Sequence, residues 1–358
     1  MARVLSEGSG KAAETSAHHQ TTLTIPDHGA VHLPAGVDAG SMEMSRDGQN
    51  LVLTAPNGDT IVVENYFAAA DSPALLSSTG AMLSPALVES FLKTAGDVQV
   101  ASADEKIDTS PVGEVSEVTG HATVTHADGT KETITNGTKI FEHDIVETDA
   151  KGAVNIKFSD ESTFAVSQNA RMAVDDYSFN AHDQSGSTGI SILRGVFMFT
   201  SGLIGRENPD SVHLETPVGS IGIRGTIIGG QIHENGQSQI SVLEGAIVVH
   251  NGTGEQILSS QFETVQLTSF NAPITNVGQL DAQHMTTSYG AVSSVSQELF
   301  TSIQDTAHEA QPQQQQEQKQ DTKSDAKPAG DHPAATDGQH SDAGHTETTA
   351  QALSLIHI

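Results

Sequence analysis

The apolar residues of this chain occur in short runs that alternate with polar residues and end at glycine, asparagine, aspartate or proline. Alternation with a period of two is typical of strands with one buried face, and the terminating residues are typical of turns. From Val112 onward the pattern predicts strands only, which favours an all-β fold, an antiparallel roll or sandwich. The predicted strands are Val115–Val118, His121–His126, Ala153–Phe158, Ser162–Val166, Ile190–Phe199, Val212–Thr216, Ile221–Ile228, Gln239–Val249 and Thr264–Leu267.

Two segments of the main β region repeat one pattern. Ser191–Phe199 and Ser241–Val249 both have the form S-x-L-x-G, followed by four apolar or nearly apolar residues. Glycine permits backbone conformations that other residues avoid, so we predict a strand, a glycine corner and a second strand in each copy. Because a repeat array needs about three copies, we expect a short, solenoid-like roll with two equivalent corners rather than a true solenoid.

A small β module is predicted in front of the main region. Short strands are expected in Leu23–Ala35 and Met42–Phe67, where Asp47-Gly48 and Asn57-Gly58 mark tight turns. The hairpin around the second turn continues into Glu64–Phe67, which ends in two aromatic residues. This hairpin resembles the BapA prefix-like module, a small β unit at the N-termini of very large bacterial surface adhesins.

Two helices are predicted, one on each side of the main β region. Ser84-Pro85 indicates a helix start, and the helix should run through Phe91 and Leu92 and end near Gly96. A second, amphipathic helix is predicted over Ser288–His308, resting on the β domain or on a second copy of the chain. Its apolar positions with helical spacing are Val292, Val295, Leu299 and Ile303.

Composition divides the chain further. The stretch 311–350 is rich in Gln, Asp, His, Pro, Gly and Thr, which predicts a disordered linker. The apolar end 353–358 breaks that composition, so we treat it as a suspected artefact and expect the reading frame to continue past Ala350. The predicted organisation is a disordered leader (1–20), the small β module with its helix (21–96), a linker (97–111), the main β domain (112–270), a partly helical extension (271–308) and a disordered tail (309–358).

The most unusual stretch is Val212–Thr226, V-H-L-E-T-P-V-G-S-I-G-I-R-G-T. Proline lacks a backbone donor and biases the preceding residue toward extended geometry, so one strand should end at Thr216-Pro217. Glycines then recur at every third position, which suits a strand that bends or lies against another backbone. Arg224 is predicted to be a buried structural residue paired with a carboxylate such as Glu215 or Glu244, with ligand binding as the alternative. The structural signature consists of Thr216, Pro217, Gly219, Gly222, Arg224, Gly225 and Thr226.

These residues resemble the signature of FecR-type domains, which carry a Thr-Pro, a small-residue bend and an Arg-Gly-Thr. The resemblance extends over His143–Leu267 and includes Asp175-Asp176-Tyr177 and Leu193-Arg194-Gly195. It implies an all-β fold, and it leaves the function open because such domains occur in regulators and in surface proteins. A FecR-type sigma regulator would carry a membrane helix after a tryptophan-bearing segment, and this sequence has no tryptophan and no apolar run of about 18 residues.

Charge and residue content narrow the possible partners and chemistry. The chain has 45 acidic and 16 basic residues, a formal net charge of −29, so nucleic acid and anionic membranes are not expected as partners. No cysteine is present, and we find no nucleophile motif and no histidine pattern for a metal. We therefore predict no catalytic, cofactor-binding or metal-binding residues, and calcium at Asp175-Asp176 or Asp160-Glu161 is a minor alternative.

Three functions are compatible with this sequence. The preferred hypothesis is a non-enzymatic, N-terminal module of an exported, adhesin-like surface protein with a role in assembly or retention, located outside the cell or at its surface. The alternative is a FecR-type sensing module in the periplasm or at the surface that binds a protein partner through exposed strand edges. A third hypothesis, a glycan-active enzyme, would need two carboxyl groups held at catalytic separation in a cleft, and the abundance of acidic residues alone gives no evidence for such a pair. No N-terminal signal peptide is recognisable, so export without N-terminal cleavage is expected.

Overall fold

The computed structural model describes residues 18–93 and 110–309, and strands predominate in both stretches. Residues 1–17, 94–109 and 310–358 lie outside the described residues, and they contain most of the predicted leader (1–20), linker (97–111) and tail (309–358). The N-terminal stretch forms β1 (Gln20–Thr24), β2 (Val31–His32), β3 (Glu43–Asp47), β4 (Asn50–Thr54), β5 (Thr60–Glu64), β6 (Leu75–Leu76), β7 (Met82–Leu83), α1 (Pro85–Ser90) and β8 (Leu92–Lys93).

The N-terminal module contains a five-stranded sheet in the order β1-β5-β4-β3-β8 and a small sheet in the order β2-β6-β7. The two predicted turns are confirmed, since Gly48 follows Asp47, the last residue of β3, and Asn57-Gly58 lies between β4 and β5. The predicted helix start is also confirmed, because the Ser84 hydroxyl accepts a hydrogen bond from the Leu87 N–H at 3.1 Å.

The predicted end of this helix is wrong. The helix ends at Ser90 instead of near Gly96, and Leu92 begins a strand that pairs in parallel with Met44 of β3. Phe91 is fully buried at the point where the helix ends. Pairing with an existing sheet and burial of an aromatic ring therefore outweigh the local preference for another helical turn.

The second stretch carries the main β domain and the helical extension. All nine predicted strands are present, most of them longer than predicted. Six further strands were not predicted, because they are short or rich in polar residues: Lys131–Thr133, Lys139–Ile140, Ile145–Thr148, Arg171–Phe179, Gly254–Leu258 and Thr275–Gln279. The elements are β9 (Gly113–Thr119), β10 (Ala122–Thr125), β11 (Lys131–Thr133), β12 (Lys139–Ile140), β13 (Ile145–Thr148), β14 (Ala153–Phe158), β15 (Thr163–Val166), β16 (Arg171–Phe179), β17 (Gly186–Thr200), α2 (Leu203–Glu207), β18 (Val212–Thr216), β19 (Gly219–Ile232), β20 (Ser238–Asn251), β21 (Gly254–Leu258), β22 (Glu263–Leu267), β23 (Thr275–Gln279), α3 (Ala282–Tyr289) and α4 (Gln297–Glu309).

These strands form one large sheet whose centre has the order β16-β17-β18-β19-β20-β22. The predicted all-β fold is confirmed. β18 pairs in parallel with the first part of β17, whereas the last part of β17 pairs directly with the last part of β19. The sheet thereby folds over itself around a central core of aliphatic and aromatic side chains.

Glycine interrupts each of the three longest strands. β17, β19 and β20 contain Gly195, Gly225 and Gly245 with φ values of 116°, 62° and 85°. In β20, Ile240 and Val242 before the glycine and Ile247 and Val249 after it all belong to the central core. Strict alternation would send the second pair to the opposite face, so the interruption shifts the alternation by one residue. The predicted glycine corners are confirmed, although each repeat copy lies within one continuous strand rather than two.

The helical extension covers one outer face of this sheet. Met285, Tyr289 and Phe300 are among the apolar side chains that pack on Met198 and Leu243. The Tyr289 ring lies over Gly229, where an added Cβ would approach within 2.9 Å of the ring. The predicted packing of this segment on the β domain is therefore confirmed.

The prediction of one continuous helix over Ser288–His308 is wrong. A 3₁₀ turn at Gly290–Ser294 separates α3 from α4. The Ser293 hydroxyl donates to the Gly290 carbonyl at 2.7 Å, and the Ser294 hydroxyl donates to the Ala291 carbonyl at 3.4 Å. Serine hydroxyls that bond to nearby carbonyl groups compete with the regular helical pattern, and periodicity alone does not report this competition.

The N-terminal module packs on the β domain within one compact unit. The apolar core of the module includes Ile145, Ala173 and Leu193 of the β domain. Backbone hydrogen bonds also cross the junction, including Met82 N–H to the Pro217 carbonyl at 2.6 Å. The predicted domain boundaries stay predictions, since the linker between the two parts lies outside the described residues.

The glycine corner in β20 should be intolerant of a side chain. At Gly245 an added Cβ would lie 2.8 Å from the Gly225 carbonyl oxygen and 2.5 Å from the Thr226 methyl carbon, whereas Gly137, with φ of 86°, has open space. Gly137→Ala should cost about 1 kcal/mol of unfolding free energy from backbone strain alone. Gly245→Ala should cost roughly 3 kcal/mol, because overpacking adds to that strain. Urea denaturation of both variants measures the difference, and equal losses would contradict it.

Candidate functional site

The signature residues at the β18–β19 turn maintain the backbone geometry. β18 ends at Thr216 as predicted, and the Thr216 hydroxyl donates to the Gly219 carbonyl at 2.7 Å. At Gly219 an added Cβ would lie 2.4 Å from the His250 carbonyl oxygen, so only glycine permits this approach of β19 to β20. The Thr226 carbonyl accepts a hydrogen bond from the Ser201 N–H at 2.9 Å. These contacts hold the β18–β19 turn, the approach of β19 to β20 and the pairing beside Thr226.

Gly222 and Arg224 lie on the outer face of the same strand. Ile221 and Ile223 point into the central core. Because side chains alternate along a strand, Gly222 and Arg224 face outward. Across the strands, His213 pairs with Gly222, Gly222 with Val248, and Val248 with Ile257. These four residues form one row across β18, β19, β20 and β21. We call the surface around this row the signature face.

A shallow pocket of about 260 Å³ lies on the signature face. Gly222 forms part of its floor, and an added Cβ there would have only the Val248 carbonyl oxygen nearby, at 3.9 Å. The walls combine apolar side chains with carboxylate, guanidinium and imidazole groups. The lining residues are Asp210, His213, Gly222, Arg224, Val248, Glu255 and Ile257.

The prediction that Arg224 is buried and paired with Glu215 or Glu244 is wrong. Its side chain is 56% exposed, and its Nη2 atom lies 3.5 Å from an oxygen of Asp210. The reason is the period-two alternation, since the isoleucine neighbours occupy the inner positions and leave the outer one to Arg224. An exposed ion pair of this kind contributes little to stability, and Arg224 is accessible to a binding partner.

The buried arginine of this domain is Arg171, which the sequence analysis missed. Its side chain is 1% exposed, its Nη1 donates to the Met42 carbonyl at 2.7 Å, and its Nε lies 3.4 Å from Glu147 without hydrogen-bond geometry. Its guanidinium carbon lies 5.2 Å from the centre of the Phe91 ring. Burial lowers the pKa of Arg171 from its usual value. Met42 and Phe91 belong to the N-terminal module, so no local sequence signal could have identified this contact.

Two carboxyl groups lie together at the edge of the signature face. Asp175 accepts a hydrogen bond from the Ser191 hydroxyl at 2.6 Å, and Ser191 pairs with Glu215 across β17 and β18. Burial raises the pKa of Asp175. Burial, together with the charge of Asp175, raises the pKa of Glu215 to about 7. Ser90 of α1 approaches Ser191 at 3.4 Å, so the N-terminal module covers this edge.

The residues considered for calcium have hydrogen-bond donors around them. Asp160 is buried, and one of its oxygens accepts hydrogen bonds from the hydroxyls of Ser162 at 2.6 Å and Tyr177 at 3.1 Å. Within residues 18–93 and 110–309, no three His, Asp or Glu side chains are grouped closely enough to hold a metal ion. The donors around Asp160 indicate a structural role in the interior.

On the side of β21, the signature face ends at an exposed strand. Among the described strands, β21 is hydrogen-bonded only to β20, and β23 is another edge strand, hydrogen-bonded only to β22. Ile257 on β21 is 62% exposed and Val277 on β23 is 51% exposed, and these are the exposed large apolar side chains of the described part. An open edge offers unpaired backbone groups to another strand. In the same part of the chain, no helix has the length and apolar character required to cross a membrane.

The carboxyl group of Glu215 should make stability depend on pH. The folded chain retains this proton up to about pH 7, while the unfolded chain loses it near the ordinary value of 4.5, so unfolding free energy should fall as pH rises between these values. Glu215→Gln keeps the neutral form and should stabilise the protein at pH 8 by on the order of 2 kcal/mol relative to wild type, with little effect near pH 5. Thermal unfolding across this range measures it, with Glu255→Gln on the same face as the control. Parallel pH profiles for wild type and Glu215→Gln would contradict it.

The two arginines should differ sharply in their contribution to stability. Arg171→Ala should lower the free energy of unfolding by about 3 to 5 kcal/mol, because it removes a buried cation that joins Glu147 to the N-terminal module. Arg224→Ala is the matched control and should cost less than about 1 kcal/mol, since its ion pair is exposed. Chemical denaturation measures both. Similar losses for the two variants would contradict this prediction.

The comparisons with known proteins concern the β domain. Residues 144–248 match the family model described as FecR protein, and this segment includes all seven signature residues. Two crystal structures of a putative anti-sigma factor from Parabacteroides distasonis ATCC 8503, at 1.65 and 2.50 Å resolution, share 12% sequence identity with this chain, with TM-scores of 0.32 and 0.31. The alignments cover 38% of this chain and 59% of those proteins.

A search of curated proteins gave no match. Neither the FecR family model nor these two structures name a BapA prefix-like module, so that resemblance stays a prediction. The segment from Asp144 to Val248 is therefore similar to FecR proteins, and the expected resemblance of the main β domain to this family is confirmed over these residues.

Proposed function

We propose that this chain is a non-enzymatic, FecR-type module that binds a protein partner in periplasmic signal sensing. The observation that carries the proposal is the position of the FecR match, which contains most of the signature face. This proposal corresponds to the alternative from the sequence analysis. The FecR match favours it over the adhesin-like hypothesis, for which neither the family match nor the described structure gives a specific argument.

The distribution of covered surfaces supports the choice of the signature face. The helical extension packs on one outer face of the β domain, and the N-terminal module packs on another. The signature face keeps Ile257, Arg224 and His213 exposed. A single exposed isoleucine is ordinary on a protein surface. Its position on an open strand edge, beside a pocket, is what makes it a candidate contact for a partner.

The open edge of β21 suggests how a partner binds. An extended segment can add to a free strand edge, where backbone hydrogen bonds supply affinity and alternating side chains supply specificity. The first exposed side chains that such a segment would meet are Ile257 and Glu255, which lie on the same face of β21. The structural roles of Asp160 and Asp175 in hydroxyl hydrogen bonds support a non-enzymatic module.

Site-specific photo-crosslinking in the native host tests this proposal. A photoreactive amino acid replaces Ile257 in one variant and Val277 in another, and both variants must keep the wild-type melting temperature. We expect one defined periplasmic protein to crosslink at position 257 and not at position 277, because Ile257 lines the pocket of the signature face, whereas Val277 lies on a different edge strand, β23.

Competition provides the control for specificity. An excess of purified wild-type chain, added as a competitor, should suppress the adduct, and an excess of the Val277→Lys variant should do the same. The Ile257→Lys variant should compete poorly, because it places a charge at the contact. No adduct at position 257, or equal adducts at both positions, would refute the proposal. An adduct found only on extracellular or surface proteins would return preference to the adhesin-like hypothesis.

A further inference from the structure

We infer that the partner inserts a lysine or arginine side chain, from an extended segment beside β21, into the pocket of the signature face. The inference rests on the proposed function and specifies the chemistry of the partner. It follows from three properties of the pocket: an apolar floor, a carboxylate at the rim without an ion-pair partner among the described residues, and a wall that belongs to the edge strand β21.

The floor of the pocket can hold an aliphatic stem. Gly222 contributes no side chain there, and Val248 and Ile257 provide apolar surface on one side. The volume is about 260 Å³. An engineered cavity of about 150 Å³ already accommodates benzene, so the four-carbon stem of lysine fits with room to spare. Lysine and arginine commonly bury their stems on apolar surface while their charged groups stay near water.

The rim of the pocket favours a cation. Two carboxylates, Asp210 and Glu255, line it together with one guanidinium, Arg224. Asp210 lies 3.5 Å from Arg224, so these two charges largely offset each other. Glu255 is exposed and has no ion-pair partner within the described residues. A partner cation would therefore meet an available carboxylate, and a partner carboxylate would be repelled.

The strand register brings this carboxylate within reach of an added strand. Adjacent strands lie about 4.8 Å apart, and a residue opposite Ile257 would have Glu255 as its diagonal neighbour at roughly 7 to 8 Å. A long side chain spans that distance, whereas a short polar or aliphatic one does not. The row from Ile257 through Val248 to Gly222 gives the stem a continuous path into the pocket. The net charge of −29 also attracts a basic partner at long range.

Fluorescence anisotropy with two short synthetic peptides tests the inference. Both peptides alternate valine and threonine, and they differ only in a central lysine or a central glutamate. The intact chain should bind the lysine peptide about tenfold more tightly than the glutamate peptide, with the difference shrinking at high ionic strength. Glu255→Lys should reverse this preference, and Glu255→Gln should abolish it.

Two further variants separate pocket binding from general electrostatics. Glu132→Lys changes the net charge equally but lies on a different exposed strand, β11, so it should leave the preference unchanged. Gly222→Val fills the floor of the pocket, where there is space for a side chain. This variant should therefore bind the lysine peptide at least fivefold more weakly than the wild-type chain does, without a lower melting temperature.

Several outcomes would overturn the inference. These are the absence of binding by either peptide, equal binding of both, or a preference that survives Glu255→Lys. A partner that crosslinks at position 257 through a segment without lysine or arginine would also overturn it while leaving the proposed function intact. Absence of any crosslinked partner, by contrast, would count against the proposed function itself.

Discussion

The three longest strands, β17, β19 and β20, each bury side chains in the central core both before and after a glycine. To do so, each strand must move its inward-facing positions by one residue at that glycine. The glycines at 195, 225 and 245 meet this constraint, because a positive φ inserts a local irregularity that ordinary residues resist. Without the shift, the second half of β20 would turn Ile247 and Val249 away from the core. The same constraint determines which side chains of β19 remain outside, and Arg224 is one of them.

The β domain is completed by two parts of the chain that flank it in sequence. α3 and α4 bury Met198 and Leu243, and the N-terminal module buries Leu193 and Ala173. Arg171 connects the module to the domain, and its burial is acceptable only because Glu147, a carbonyl group and an aromatic ring surround its charge. Neither the helices nor the described part of the N-terminal module covers the pocket of the signature face, and the proposed partner site lies there for this reason.

The signature stretch serves two purposes that the sequence does not separate. Thr216 and Gly219 hold the β18–β19 turn and the close approach of β19 to β20. Gly222 and Arg224 shape an exposed pocket instead. The signature stretch therefore mixes residues that stabilise the fold with residues that face solvent, and only the latter are accessible to a partner.

The sequence by itself determined the all-β class, most strands of the main domain, the tight turns of the N-terminal module and the end of β18 at Thr216. These features follow from local rules, namely side-chain alternation, turn residues and the missing donor of proline. The tertiary structure alone decided the end of α1, the break between α3 and α4 and the burial of Arg171, whereas the exposure of Arg224 follows from the alternation of Ile221 and Ile223. The first three features depend on contacts between residues far apart in the chain or on the balance between competing hydrogen bonds, and local periodicity carries no information about either.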